Sequence, residues 1–396
     1  MPNAAVRLLV VDDNADNRDV LARRLRRLGH DAVDMAEDGQ MALDAVVAAA
    51  ATSAPYDAVL LDVMMPRMSG VEVLERLAAD AALRQTPVIM ISAATEIETV
   101  VRCIELGAED YLQKPCNPVL LRARLGTVLE KKRLRDEVAR QFARMEEELA
   151  EARRQQLSML PDAFPAPDPA NPVTVHAVMH PAREVGGDLY DCFEAAPGVL
   201  AIAVGDVSGK GVPAALFMAR ARSLLRASAL QHAAATGRPP RPSELVAVLN
   251  EELCKNNPTG MFVTLFVGFL DCATGRLDFV NAGHVRPFHL VPAAAPAEVP
   301  VRCGLPPGMM EDRGYTDAAM TLGAGEALVI ITDGLPEMAD PDGAFYTTER
   351  IAADLAALAD ADPATITTTL AANARAFAAG APAADDVTVM AVRRGG

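Results

Sequence analysis

Residues 58–70 have the sequence AVLLDVMMPRMSG, and their first half has the pattern of a strand buried on both faces. The apolar run ends at Asp62, and Pro66, Ser69 and Gly70 then mark a loop. Segments of helical spacing separate this run from similar apolar runs on either side. Those runs lie at 6–11, 31–36, 87–92 and 110–113. The alternation predicts a doubly wound, five-stranded parallel sheet with helices on both faces over residues 5–125.

Polar residues fall at the carboxyl ends of these predicted strands, which share one edge of a parallel sheet. Asp12 and Asp13 follow the first strand and Asp62 follows the third. Carboxylates gathered there repel one another unless a cation lies between them, and Mg²⁺ takes oxygen ligands of this kind. Ser92 and Lys114 end the fourth and fifth strands. They are placed to hold a phosphoryl group carried by Asp62.

These residues lie in short motifs that resemble the receiver domain of two-component response regulators. The motifs are VDDN at 11–14, DVMMPRMSG at 62–70, SA at 92–93 and KP at 114–115. The resemblance implies a flavodoxin-like fold, a sensor histidine kinase as partner, and Asp62 as phospho-acceptor. It also implies Mg²⁺ held by Asp12, Asp13 and Asp62, with Ser92 and Lys114 contacting the phosphoryl group. Tyr111 matches the aromatic switch position, although a plain half-buried tyrosine is the other interpretation.

A long helical segment follows, and between residues 120 and 160 only Gly126 interrupts it. Its apolar residues recur at spacings of three and four, and Gln156 interrupts the pattern at the far end. The spacing predicts a helical linker over 126–160 with a coiled-coil seam that joins a homodimer. A single amphipathic helix packed on its own domain is the alternative. The seam residues are Leu134, Val138, Phe142, Met145, Leu149 and Ala152.

The pattern changes after the linker. Residues 161–172 contain five prolines, which cannot continue a helix and indicate a domain boundary. Beyond it, apolar runs pair through short turns and are flanked by helical segments, which predicts antiparallel sheets with helices over 161–396. The predicted strands lie at 173–179, 199–204, 262–270, 277–281, 328–332 and 387–392.

Acidic motifs recur across this second half: GGD at 186–188, GDVSGKG at 205–211, TDG at 332–334 and DD at 385–386. A glycine beside a carboxylate lets backbone and ligand approach closely. Carboxylates that converge from separate strands can hold two divalent ions, which activate water and clamp a phosphoryl group. The GDVSGKG motif is not a phosphate-binding P-loop, because Gly211 follows Lys210. Nor is GGD a diguanylate cyclase signature, because Leu189 and Tyr190 replace its Glu-Phe pair.

Together these motifs resemble the sporulation-type (stage II E) phosphatases of the metal-dependent PPM class. The matching segments are VGGDLYD (185–191), GDVSGKGVPAALFM (205–218), FVTLFVGFLD (262–271), NAGH (281–284), ITDGLPE (331–337) and DDVTVM (385–390). The resemblance implies an αββα antiparallel sandwich and two Mn²⁺ or Mg²⁺ ions. It implies Asp188 and Asp206 at the metal pair, with the Val207 carbonyl as a further ligand. Asp333 and Asp385 complete the cluster, with Asp385 preferred to Asp386 as the direct ligand.

Two further residues stay open. Arg183, five residues before Asp188, either reaches the substrate phosphate or forms a surface salt bridge. His284 of the NAGH motif either lies near the site or is a packed histidine, and the second reading is favoured.

The expected function is therefore a response regulator. Its receiver, phosphorylated on Asp62, controls a metal-dependent protein-serine/threonine phosphatase. The resemblance implies a phosphorylated anti-sigma-factor antagonist as substrate. The alternative is a catalytically silent adaptor that binds a protein of a sigma-factor pathway when the receiver is phosphorylated. A DNA-binding response regulator is disfavoured because no helix-turn-helix pattern follows the receiver.

Composition supports this choice. The net charge of -16 offers no basic face for nucleic acid. The 6 cysteines have no CxxC spacing, so neither a zinc site nor a disulfide framework is predicted. No apolar run is long enough to span a bilayer and no signal peptide is apparent, so we expect a cytoplasmic protein without membrane partners.

Overall fold

The chain forms two compact units, Met1–Met145 and Glu146–Gly396. In this computed structural model the described residues are 6–52, 54–93, 97–167 and 171–395. Residue 5, where the predicted receiver begins, and residue 396 lie outside that description, as do residues 168–170 of the proline-rich segment. No helix in the described ranges combines the length and the apolar character that crossing a bilayer requires.

The first unit is built on one parallel sheet. Its strands are β1 (Arg7–Val11), β2 (Ala32–Ala36), β3 (Ala58–Asp62), β4 (Val88–Ser92) and β5 (Asp110–Gln113). They lie in the order β2-β1-β3-β4-β5, and each pairing is parallel. The predicted doubly wound sheet is confirmed, and its carboxyl edge holds the ends of β1, β3, β4 and β5.

Helices alternate with these strands and cover both faces of the sheet. Side-chain caps fix where two of them begin: Asn14 accepts the Asp16 amide, and Ser69 forms a reciprocal capping box with Glu72. Both caps therefore end loops that carry acidic residues. The helices are α1 (Ala15–Arg27), α2 (Gly39–Ala50), α3 (Gly70–Ala79), α4 (Ile97–Glu105) and α5 (Pro118–Met159).

The helix α5 is continuous for 42 residues and is the predicted helical linker. Its first turns bury Leu121, Leu125 and Val128 in the core under the parallel sheet. Further along, Val138 and Phe142 are exposed, at 51 % and 62 %. The apolar positions of the repeat between 134 and 145 therefore face solvent.

The second unit contains two antiparallel sheets. Their strands are β6 (Val173–His180), β7 (Leu189–Ala196), β8 (Val199–Val207), β9 (Val263–Asp271), β10 (Arg276–Ala282), β11 (Phe288–Leu290), β12 (Ala297–Glu298), β13 (Ala318–Thr321), β14 (Ala327–Ile331) and β15 (Val387–Arg394). One sheet has the order β13-β10-β9-β8-β7 and the other β12-β11-β14-β15-β6. The predicted antiparallel architecture is confirmed.

Helices cover the outer faces of both sheets, which gives four layers. One core lies between the sheets and includes Phe266, Phe279 and Met390. Helices α6 and α7 pack on the first sheet, and α8 and α9 pack on the second. Their bounds are α6 (Val212–Thr236), α7 (Pro242–Cys254), α8 (Thr348–Ala357) and α9 (Pro363–Ala378).

The strand β7 is a difference from the sequence prediction. Its alternation is obscured because Asp191 occupies an inward position and is fully buried. The buried carboxylate is paired with Arg226 at 2.7 Å and Arg222 at 3.1 Å, both from α6. Because the partners of Asp191 are distant in sequence, the local pattern does not indicate a strand. The strand begins directly after the GGD motif.

Candidate functional site

The acidic site of the first unit lies at the carboxyl edge of the parallel sheet. Asp12 and Asp62 are buried, and with exposed Asp13 they bring carboxylate oxygens within 4.8 Å of one another. The Lys114 ammonium lies 2.6 Å from Asp12 Oδ2 and 2.6 Å from Asp62 Oδ2. One lysine therefore bridges two of the three carboxylates.

Burial and charge oppose each other in this site. Burial raises the pKa of Asp62, and the hydrogen bond from Lys114 only partly offsets it. Burial pulls the pKa of Lys114 down, but its contacts with Asp12 and Asp62 outweigh burial and raise it overall. Lys114 is thus held as a cation between the two acids.

The remaining predicted receiver residues lie at the same edge. Ser92 is fully buried at the end of β4, and its carbonyl accepts the Lys114 amide at 2.8 Å. Tyr111 on β5 is half-buried. A Cβ on Gly70 would lie 2.1 Å from the Asp62 carbonyl, so the motif requires glycine there.

Asp188 lies at the centre of the second acidic site and is fully buried. Its Oδ2 accepts hydrogen bonds from Thr332 at 2.8 Å and Thr388 at 2.5 Å. Its Oδ1 has no partner among the described residues. Two hydroxyls from neighbouring strands thus orient the carboxylate and leave one oxygen open.

Asp206, at the end of β8, lies near this carboxylate, and Asp333, just after β14, lies near Asp206. Burial, followed by Asp333 and Asp385, raises the pKa of Asp206 to about 7. Burial, followed by Asp206 and Asp386, raises the pKa of Asp188 well above its usual range. Burial, with Glu337 and Asp385, also raises the pKa of Asp333. Asp206 therefore links Asp188 on one side to Asp333 and Asp385 on the other, and burial together with these neighbours disfavours the charged forms of Asp188, Asp206 and Asp333.

Asp385 and Asp386 have different surroundings. Both oxygens of Asp386 accept backbone amides, from Ala182 at 2.8 Å and Gly187 at 2.6 Å. Asp385 is partly exposed and pairs with Lys210 at 2.8 Å. Asp386 thus shapes the GGD loop, and its neighbour keeps the more accessible carboxylate. The geometry favours Asp385 as the direct ligand.

The glycines of the motifs are explained by close approaches around Asp386. A Cβ on Gly186 would lie 2.3 Å from Asp386 Oδ2, and one on Gly334 would lie 2.0 Å from the Asp386 carbonyl. A Cβ on Gly187 would lie 2.9 Å from the Val207 carbonyl oxygen. That carbonyl therefore lies against the GGD segment, at the edge of the cluster.

The residues present fit divalent cations. All donors are oxygens, and a fully buried carboxylate has an unpartnered oxygen beside a second carboxylate. Among the described residues, only Asp12, Asp13 and Asp62 bring three such groups within 4.8 Å of one another. In the second cluster the carboxylate oxygens are spaced more widely than in the first. Such spacing suits two ions that each keep several waters.

Arg183 and His284 are also placed. Arg183 is exposed on the loop whose Ala182 amide is held by Asp386, and no ion pair of the described residues involves it. His284 is buried, and its Nδ1 lies 2.9 Å from Thr264 Oγ1. Burial lowers the pKa of His284 to about 4, which favours the neutral ring.

Sequence reasoning missed several residues around the cluster. Thr332 and Thr388 lie inside the TDG and DDVTVM segments, but only the fold shows that both donate to Asp188. Lys210 lies in GDVSGKG and pairs with Asp385. Gln156 was visible only as an interruption of the apolar repeat, and it contacts Gly186. The partners of all four are distant in sequence.

Fold and sites define a response-regulator receiver followed by a PP2C-type phosphatase domain. The response regulator receiver domain matches residues 8–126, and the stage II sporulation protein E (SpoIIE) family matches residues 196–395. The chain belongs to the SpoIIE family, with a receiver at its N-terminal side.

Known relatives resemble one part of the chain or the other. Protein IcfG of Synechocystis is 31 % identical over 238 residues, covering 53 % of this chain and 36 % of that protein. The phosphate regulon regulatory protein PhoB of Pseudomonas aeruginosa is 36 % identical over 124 residues, covering 31 % of this chain and 52 % of that protein. The chain thus spans about a third to a half of the length of these relatives.

A solved structure shares the fold of the second unit. The SiaA-PP2C domain of Pseudomonas aeruginosa aligns with a TM-score of 0.53 and 20 % identity, covering 63 % of this chain and 97 % of that domain.

Proposed function

We propose that this chain is a metal-dependent protein-serine/threonine phosphatase whose activity is controlled by phosphorylation of Asp62. The observation that carries the proposal is the state of Asp188. It is fully buried, oriented by two threonine hydroxyls, and has one oxygen without a partner beside Asp206. A buried carboxylate in this setting is costly unless a cation binds there.

Asp188, Asp206, Asp333 and Asp385 would hold two Mn²⁺ or Mg²⁺ ions, with the Val207 carbonyl as a further ligand. Ions bound there would supply an activated water and positive charge for the phosphoryl group. Thr332 and Thr388 fix the orientation of Asp188, and Asp386 holds the loop that precedes it. Arg183, exposed on that loop, is available to the phosphate of the substrate.

The substrate class we propose is phosphoserine or phosphothreonine on a small protein of the anti-sigma-factor-antagonist type. This choice follows from membership in the SpoIIE family. A phosphoprotein must approach the cluster from solvent, and Asp385 and Lys210 form its partly exposed edge.

For control, we propose that a sensor histidine kinase is the phosphoryl donor to Asp62, with Mg²⁺ held by Asp12, Asp13 and Asp62. The helix α5 begins in the receiver core, and its later turns belong to the second unit. Its apolar positions are more than half exposed at Leu134, Val138, Phe142 and Met145. Their spacing supports a coiled coil that joins two copies of the chain. We propose that this homodimer acts in the cytoplasm.

Phosphate release tests the catalytic proposal. We expect release from a phosphoserine protein with Mn²⁺ and none in EDTA, and we expect Asp188→Asn to remove it. Full activity in EDTA would refute the metal-dependent mechanism. Metal binding without any turnover would favour the adaptor alternative.

Beryllofluoride, which mimics the aspartyl phosphate, tests the control. We expect it to change the phosphatase rate of the full chain and, in light scattering, the mass of the particle. If neither quantity changes, receiver control through α5 is wrong.

A further inference from the structure

The helix α5 contributes a buried side chain to the second acidic site. Most of its later turns are exposed, but Gln156 is only 5 % exposed. Its Nε2 donates to the Gly186 carbonyl at 2.6 Å, and its Oε1 accepts the Gly186 amide at 3.1 Å. One side chain thus satisfies both polar groups of a buried backbone unit, as a neighbouring strand would.

Further contacts attach the end of α5 to the same region. Leu160, one turn after Gln156, is 6 % exposed. The Tyr190 hydroxyl donates to the Pro161 carbonyl at 3.1 Å. Residues 156–161 therefore contact the chain on both sides of Asp188: Gln156 binds Gly186, and the Pro161 carbonyl binds Tyr190.

Gly186 is also enclosed from its other side. A Cβ there would lie 2.3 Å from Asp386 Oδ2, and that same oxygen accepts the next amide, from Gly187, at 2.6 Å. The segment 186–188 therefore lies between Gln156 and Asp386, and it leads directly into Asp188.

We propose that Gln156 is a positioning residue for the phosphatase centre. It holds the segment 186–188 in the conformation in which Asp188 meets Asp206. The affinity of the centre for Mn²⁺ then depends on whether the last turns of α5 are docked. The proposal rests on the proposed function and names a residue through which α5 acts on it. Without Gln156, the buried amide and carbonyl of Gly186 lose their partners, and the segment is free to move.

The test compares Gln156→Ala with Gln155→Ala in the full chain. The control removes the same carboxamide one residue earlier, where the exposed side chain of Gln155 donates to Glu151 on the same helix. We expect Gln156→Ala to raise the Mn²⁺ concentration for half-maximal phosphatase activity about tenfold. Excess Mn²⁺ should restore the rate. Gln155→Ala should behave like the wild type.

Two measurements do not depend on turnover. Hydrogen exchange without metal should be faster at the Gly186 and Gly187 amides in Gln156→Ala only. Free Mn²⁺ followed by electron paramagnetic resonance should show weaker binding in the same variant. The receiver site is identical in all the proteins, so its contribution cancels. If the wild type binds Mn²⁺ but releases no phosphate, the proposed function fails while these readouts still decide the role of Gln156.

Unchanged Mn²⁺ dependence and exchange in Gln156→Ala would overturn the proposal, as would equal effects in both variants. A purely structural glutamine would lower thermal stability without changing the Mn²⁺ requirement, and that result also counts against it. If Gln156→Ala does not fold, Gln156→Glu replaces it. This variant keeps an acceptor for the Gly186 amide but turns a carboxylate oxygen toward the Gly186 carbonyl, so a shift in the same direction is expected.

Discussion

The two acidic sites of the molecule differ in how their charge is balanced. In the receiver, Lys114 bridges Asp12 and Asp62 at 2.6 Å each, so a resident cation offsets two buried acids. In the phosphatase domain, Asp188 is held by the hydroxyls of Thr332 and Thr388, which orient it without neutralising it. The receiver site therefore carries its own counter-ion, whereas no ion pair of the described residues reaches Asp188, and the proposed function assigns that role to bound metal ions.

The position of Lys210 beside the phosphatase cluster supports this contrast. Lys210 pairs with Asp385 at the partly exposed edge, not with Asp188 at the centre. Asp206, between them, has its pKa raised to about 7 by burial and by its acidic neighbours. The proposed function thus gives the two sites different tasks: the first would receive a charge on Asp62, and the second would keep its cations bound.

The largest effect is expected when the centre of the phosphatase cluster loses its charge. Asp188→Asn keeps the shape and an oxygen but removes the carboxylate that the ions require. We expect the phosphatase kcat/KM to fall about a thousandfold, the equivalent of several kcal/mol of lost stabilisation. Phosphate release with Mn²⁺ measures it. The control is Asp278→Asn, in an exposed pair with Arg276, which should leave the rate unchanged. A loss of less than tenfold for Asp188→Asn would contradict the assignment.

Removing Lys114 should leave the receiver site, like the phosphatase cluster, with buried carboxylates and no cationic side chain between them. Lys114→Met leaves Asp12 and Asp62 buried without their partner, at a cost of about 3 kcal/mol of receiver stability. Mg²⁺ should recover part of the loss, since it supplies the missing charge. Thermal unfolding of the full chain with EDTA or Mg²⁺ measures both effects.

The matched control is Lys131→Met, which removes a half-exposed lysine from Glu109 and leaves that carboxylate its pair with Arg135. It should cost less than about 1 kcal/mol. Equal losses for the two lysines would show that Lys114 is not the counter-ion of the site.

The phosphatase domain without metal should lose stability as pH rises. In the folded chain the pKa of Asp206 is raised from 3.8 to about 7, so the folded state keeps a proton that the unfolded chain has lost. This contribution is complete below about pH 4 and disappears as pH rises through 7. Asp206→Asn should flatten the dependence and stabilise the EDTA-treated protein at pH 8 by about 2 kcal/mol. Thermal unfolding between about pH 4 and pH 8 measures the dependence. If stability falls with pH equally in the variant, Asp206 is not the group that keeps the proton in the folded chain.

The smallest effect is expected at the exposed edge. Lys210→Gln removes the cation that occupies Asp385 and should lower the Mn²⁺ concentration for half-maximal activity. The pair is partly exposed, so the change should be about threefold or less, as for surface ion pairs. A Mn²⁺ titration of phosphatase activity measures it. A large loss of activity would instead give Lys210 a direct role with substrate.

The sequence predicted the folds because their signals are local. Buried runs such as β3 and the antiparallel pair β9 and β10 are visible as short apolar segments with turn residues between them. The strand β7 could not be predicted, because Asp191 looks exposed in the sequence and is neutralised only by Arg222 and Arg226 of α6.

The contrast between local signals and contacts of distant residues also explains which site residues could be predicted. Asp188, Asp206 and Asp333 each stand beside a glycine, which made them visible as candidates, and their role as metal ligands stays a prediction. The different roles of Asp385 and Asp386 could not be predicted, because they depend on the Ala182 and Gly187 amides, which donate to Asp386 and are distant in sequence. The contact of Gln156 with Gly186 joins elements 30 residues apart, and in the sequence it appeared only as a gap in the apolar repeat.

Anomalous diffraction from crystals of the full chain grown with Mn²⁺ tests the contrast between the two sites most directly. We expect manganese peaks within coordination distance of Asp188 and Asp206 in the phosphatase domain, shared with Asp333 and Asp385. The absence of any peak there, with the carboxylates as close as they are now, would contradict the claim that this cluster depends on cations from solution.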